Sequence, residues 1–156
     1  MIEMNVAGIA LDAKSSMPII ILRDVKGNRV IPIWVGLFEA QAILFALEGI
    51  KPPRPLTHDL LKSVVENLGS RVAKVVINAL RDNTYFAQIT FALNGKSVEV
   101  DSRPSDAIAL ALRVSAPIYI HDHVLNTATM PGNPIDDREV KAFKEQLKDL
   151  TISDLD

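Results

Sequence analysis

The spacing of apolar positions along this chain changes twice from strand-like to helical, in the same order each time. Residues 2–12 and 17–24 alternate or run apolar and are rich in Ile and Val, and a Lys26, Gly27, Asn28 turn separates them from a third run, Arg29 to Val35. Three short strands in succession are expected. Gly36 to Gly49 then shifts to a helical period and ends on a glycine suited to a C-cap. Lys51 to Pro55 holds three prolines and reads as an extended connector. Thr57 is the expected N-cap of a second helix with Asp59 in its first turn and with Leu60, Leu61, Val64, Val65 and Leu68 as its apolar face, ending near Gly69.

The pattern then restarts. Residues 71–80 and 84–93 read as strands joined through Asp82 and Asn83, and Asn94-Gly95 is the strongest hairpin signal in the chain, leading into 96–100. Asp101 to Arg113 follows as a capped turn and an apolar helix. A short apolar run, Pro117 to Ile120, an irregular segment to Pro134 and a charged amphipathic helix over about 136–150 complete the chain. Two alignments support an internal repeat: Ala42 to Leu47 matches Ala107 to Leu112, and the fourteen residues from Pro55 match those from Pro134. The expected class is α+β. One domain, 1–156, is built from two tandem units of three strands and two helices, about 1–69 and 70–150. They share a strongly curved, mixed, mainly antiparallel sheet under packed helices, with Pro117 to Ile120 free to pair in parallel because a helix leads into it.

Composition narrows the chemistry. The chain has 156 residues, 48% of them hydrophobic, enough for one domain with a real core. With no Cys, thiol catalysis and cysteine-held metals are excluded, so any metal must be held by carboxylates, His or carbonyls. Net charge is −2, and it is unevenly placed: residues 136–156 carry seven acids and four bases, leaving twelve acids and thirteen bases before them. Nucleic-acid contact would therefore need a local basic patch. The first residues lack a signal-peptide pattern and no apolar run reaches membrane-spanning length, so a cytoplasmic address and no membrane contact are expected.

The densest polar cluster opens the apolar helix at Ala107. Ser102 or Ser105 can cap it, Pro104 suits its first turn, and Asp106 places negative charge at the positive end of the helix dipole. Two acids and an arginine there suit a metal or a phosphate; the plainer alternative is a capped helix whose Arg103 pairs with Asp101 or Asp106. An Arg-Pro followed by a hydroxyl residue and an Asp occurs twice, at Arg54 and at Arg103, each time opening a helix. The two openings are expected on one side of the domain, with Arg54, Thr57, Arg103 and Ser105 as phosphate binders. His58 beside Asp59 is the best acid–base candidate, against the alternative of a solvated histidine at a helix start. His121 and His123 would share a face if the strand continued, but no third ligand is visible. Glu39 and Glu48 fall on roughly opposite faces of the first helix and cannot act as a pair. Walker, dinucleotide, nucleophile-elbow and HExxH motifs are absent, so no organic cofactor is expected.

Four segments, Pro32 to Ile43, Arg54 to Leu60, Tyr85 to Ala87 and Asp101 to Ala111, together resemble the bifunctional nuclease domain family over about residues 5 to 125. The resemblance implies an α+β domain that pairs into a homodimer with a groove and hydrolyses both DNA and RNA. Two hypotheses follow. In one, Asp59, Asp101 and Asp106 hold Mg²⁺ or Mn²⁺, Arg54 and Arg103 clamp the phosphate, and His58 moves a proton. In the other, the same helix openings form a non-catalytic module that binds an anion or a partner protein. The first helix favours pairing independently, because Leu37, Phe38, Ile43, Leu44 and Phe45 spread over more than one face.

Overall fold

A computed structural model describes residues 1–128. The first three strands are β1 (Ile2–Leu11), β2 (Pro18–Asp24) and β3 (Val30–Trp34), followed by helices α1 (Leu37–Glu48) and α2 (Thr57–Asn67). The second set is β4 (Arg71–Arg81), β5 (Thr84–Leu93) and β6 (Lys96–Ser102), followed by α3 (Pro104–Val114), β7 (Ile118–Ile120) and α4 (Asp122–Ala128). All seven strands form one open mixed sheet in the order β3-β2-β1-β7-β4-β5-β6. Each set is an antiparallel meander. Short β7 lies between them, antiparallel to β1 and parallel to β4. The α+β class and the parallel pairing of the Pro117 run are as the sequence led us to expect.

Local chemistry explains the turns. Asp82 and Asn83 both have positive φ, as do Asn94 and Gly95, the backbone that tight two-residue hairpins require. Gly49 ends α1 in the left-handed conformation, and the Ile50 N–H closes the helix on the Phe45 carbonyl at 3.0 Å.

The core lies between the sheet and the pair α1 and α3. Ala40, Ile43 and Leu44 of α1 and every residue from Ala107 to Ala111 of α3 are buried against Ile9, Ile20, Leu22, Val75, Ile77 and Ile120 of the strands. Runs of alanine let the two helices approach closely. α2 forms an outer layer on α3. Its orientation differs from expectation: His58 is buried and Asp59, Lys62 and Val65 are half-buried, whereas Leu60, Leu61, Val64 and Leu68 are exposed. Polar contacts to α3, described below, set this rotation, and the apolar stripe faces outward.

Two further readings are corrected. Residues 122–128 are a helix and not irregular, so His121 and His123 lie at a strand end and in a helix; their rings stack with centroids 5.5 Å apart. The β6 ladder continues past Val100 through Asp101, opposite Gln88, and Ser102, opposite Ala87, right up to the start of α3 at Pro104. Only the strand end thus moves, from Val100 to Ser102, since the sequence already places Pro104 in the first turn of α3. The helix expected over 136–150, with the alignment from Pro134, lies outside the described residues.

Candidate active site

Three helix openings converge here, and each places an acid at its third helical position: Glu39 in α1, Asp59 in α2 and Asp106 in α3. A carboxylate there faces the free N–H groups and the positive end of the helix dipole. Asp59 Oδ2 accepts the Leu56 N–H at 3.0 Å, and its Oδ1 accepts Arg113 Nε–H at 2.8 Å. Arg113 also donates from Nη1 to the Ala109 carbonyl at 2.9 Å, so a nearly buried guanidinium fastens α2 to α3. Neither Ser102 nor Thr57 caps its helix: the Ser102 hydroxyl donates to the Arg103 carbonyl, and Thr57 is an exposed first-turn residue after Leu56. The N-cap of α3 is Arg103, with no side-chain cap bond, so Ser105 is no cap either; it is buried in the first turn.

Asp106 is the hub. Its Oδ1 accepts from His58 Nε2 at 2.9 Å and from Arg103 Nη2 at 3.1 Å, while Oδ2 accepts from Arg103 Nε at 2.8 Å. Arg103 Nη1 donates to Glu39 Oε1 at 3.0 Å. Burial pushes the Asp106 carboxyl up, but the Arg103 and His58 hydrogen bonds outweigh it and hold the group below the usual aspartate range. Asp59 behaves likewise, with burial opposed by the Leu56 N–H and Arg113. An ionised Asp106 only accepts, so His58 Nε2 must carry a hydrogen, and in the neutral imidazole the lone pair is on Nδ1. Arg103 uses three of its N–H groups in these contacts, and a guanidinium has five, which leaves two for a ligand. Its side chain is 63% exposed.

The cluster opens onto a groove of about 740 Å³ whose lining includes Phe38, Phe45, Leu56, His58, Arg103 and Asp106. Gly36 has a structural reason: a Cβ there would stand 2.2 Å from Glu39 Oε2, so only glycine lets that carboxylate fold back beside Arg103.

His58, Asp106 and Arg103 therefore meet, as their motifs suggested. Asp101 does not join them: it is exposed on β6 and hydrogen-bonded to no described side chain. Arg54 is exposed before α2 and makes no hydrogen bond or ion pair with another described residue. The proposed metal trio of Asp59, Asp101 and Asp106 does not fit a cation. Two of its members spend their oxygens on arginines, a histidine and a backbone N–H, the third lies on β6, and no group of three His, Asp or Glu among the described residues is arranged as a ligand set. Sequence reasoning missed Glu39 and Arg113. Aligning the two units from their helix starts, Gly36 and Arg103, rather than from their Ala-Ile runs, puts Glu39 opposite Asp106 and would have found it.

The fold and this cluster define an α+β protein that presents an Asp-oriented imidazole and a partly free guanidinium in an apolar groove. The bifunctional nuclease domain profile matches residues 20–133, and the chain belongs to that family. It is 37% identical to an uncharacterised protein of Mycobacterium tuberculosis over 97% of this chain and 96% of that one. It is 29% identical to bifunctional nuclease 2 of Oryza sativa subsp. japonica over 75% of this chain and 37% of the rice protein. Bifunctional nuclease 1 of Arabidopsis thaliana is also 29% identical, over 69% of this chain and 34% of its own.

Proposed function

We propose that this protein hydrolyses phosphodiester bonds of RNA and DNA at the His58, Asp106 and Arg103 cluster. The observation that carries the reading is the His58 to Asp106 contact, which ties an imidazole to the same carboxylate that holds a guanidinium with two N–H groups to spare. Nδ1 takes a proton from the attacking water as its oxygen bonds to phosphorus. The bond to the leaving oxygen breaks, that oxygen takes a proton from water on the opposite side of phosphorus, and the imidazolium then gives its proton to solvent. Arg103 holds the phosphate oxygens through both steps, and Glu39 and Asp106 fix the guanidinium. Contact with the phosphate alone does not distinguish ribose from deoxyribose, consistent with a dual substrate.

The test is cleavage of labelled single-stranded RNA and DNA by wild type and His58→Ala, with and without chelator. Loss of cleavage in a folded His58→Ala variant supports the reading, and full cleavage by it overturns the assignment. Cleavage abolished by chelator would hand the reaction to a cation held elsewhere than by Asp59, Asp101 and Asp106. One observation favours the second reading in its protein-binding form, a non-catalytic module for a partner protein: Glu39 and Asp106 outnumber Arg103, so the cluster attracts a phosphate weakly. Cleavage absent from wild type under every condition selects that reading. We also propose a homodimer, with Leu61 and Val64 on the outer face of α2 and Leu68 at its C-cap as the pairing surface.

A further inference from the structure

Arg103 lines two grooves at once. Besides the groove at His58 it borders a second one of about 670 Å³, on the β3 and β5 side, whose lining includes Met17, Trp34, Leu80 and Tyr85. Each groove presents an aromatic side chain near this shared cation. Phe38, at 78% exposure, is the most exposed of the large apolar residues described and lines the first groove. Trp34, at 49% exposure, lines the second. The indole is held at its edge, because Nε1 donates to Asp12 Oδ2 at 2.9 Å. Its N–H is therefore satisfied, and the half-exposed ring is held in place as a pre-ordered platform lining the groove.

We infer that the two grooves are base-stacking subsites on either side of the phosphate held by Arg103, with Phe38 and Trp34 as the platforms, so that the ligand is a strand with unpaired bases. The inference rests on the phosphodiester reading of the same site. Aromatic faces stack on any base, and a cation at their junction meets the backbone between two stacked bases. Paired bases inside a duplex offer no free face to Phe38 or Trp34. Net charge points the same way: at −2 the chain as a whole does not attract the phosphates of a duplex, which raises the weight of base contacts.

Trp34 is the chain's single tryptophan, and its fluorescence reports the second groove directly. The experiment titrates full-length His58→Asn, chosen so that nothing is cut, with a thymidine strand of roughly ten nucleotides, an abasic strand of equal phosphate count, and a blunt duplex. We expect the thymidine strand to quench Trp34 and to bind on the order of 5- to 100-fold more tightly than the abasic strand. Adding Phe38→Ala should remove most of that advantage, and Phe38→Tyr should keep it. Equal binding of abasic and base-bearing strands, duplex binding as tight as single-strand binding, or an advantage untouched by Phe38→Ala would overturn the inference. So would a Phe38→Ala variant whose only change is a lower molar mass in light scattering, since Phe38 would then belong to an interface between copies. Wild-type cleavage separates the two claims. Base-dependent binding without cleavage leaves the stacking subsites standing and removes the hydrolysis, whereas equal cleavage of base-bearing and abasic strands with equal binding does the reverse.

Discussion

Replacing Asp106 by Asn keeps the shape of the hub and removes its charge. Three donated hydrogens now reach this side chain, two from Arg103 and one from His58. Asn offers one oxygen and one NH₂, so whichever way the amide turns, a donor faces a donor. If the oxygen stays with Arg103, the NH₂ meets His58 Nε2 and the imidazole must present a lone pair there. The proton then sits on Nδ1, and the groove loses its base. The stability cost is modest, because the Arg103 side chain is mostly exposed. A buried charge-assisted bond contributes about 1.5–3 kcal/mol, and solvent screening brings the loss here to about 1 kcal/mol. For a chain of this size that is a fall in Tm of about 2–4 °C. The cleavage rate should fall far more, on the order of 10²- to 10⁴-fold, the usual contribution of a general base. The assay pairs scanning calorimetry with the initial rate on labelled single-stranded RNA, and Asp101→Asn is the control. Exposed Asp101 should change stability by less than about 0.5 kcal/mol and leave the rate as it was. A folded Asp106→Asn protein cutting at the wild-type rate, or an Asp101→Asn protein losing its activity, refutes the reasoning.

Two further outcomes are expected. Arg113→Met strips Asp59 of its buried partner and frees the Ala109 carbonyl. Because Asp59 is about one-third exposed and can turn to water, the cost is about 2 kcal/mol, read as a lower midpoint in urea. The acid side carries a sign: Asp59 and Asp106 are held below the ordinary value of 3.8, so they contribute stability above that pH and lose it as pH falls through their lowered values. Arg113→Met should therefore flatten the acid limb of the stability curve, and an unchanged acid limb counts against the Asp59 assignment. Leu68→Lys, at the C-cap of α2 and 74% exposed, should convert a dimer to a monomer in light scattering; a wild type that is already monomeric at micromolar concentration ends the pairing proposal.

Much of this was legible in the sequence because local chemistry determined it. Asn94-Gly95, Gly49 and the alternating or continuous apolar runs of β1 to β6 each specify their own backbone. The helix openings were legible in kind but not in partnership. Asp101 and Asp106 look alike in sequence, yet strand pairing carries one past the cluster while the first turn of α3 places the other at its centre. The face of α2 was misjudged for a related reason. Five apolar side chains outvote His58 and Asp59 by transfer energy, but contacts to Asp106 and Arg113 decide which side turns inward. No local pattern encodes such long-range pairs. Glu39, 64 positions from Arg103, is the extreme case.

The placing of β7 has a consequence for how the molecule is born. β1 pairs with β2 as soon as both are made, but its other edge waits for Ile118 to Ile120, more than a hundred residues later. At synthesis rates of about 5–20 residues per second, that edge stays open for roughly 6–20 s. Through that interval the nascent chain holds a three-stranded, isoleucine-rich ribbon with one side ready to pair with anything extended. The strand that seals it arrives only after α3 has been made, so the chain completes its sheet and its site together. A ribosome stalled before residue 103 would release a product that lacks both Arg103 and Asp106 of the site and the sealing strand.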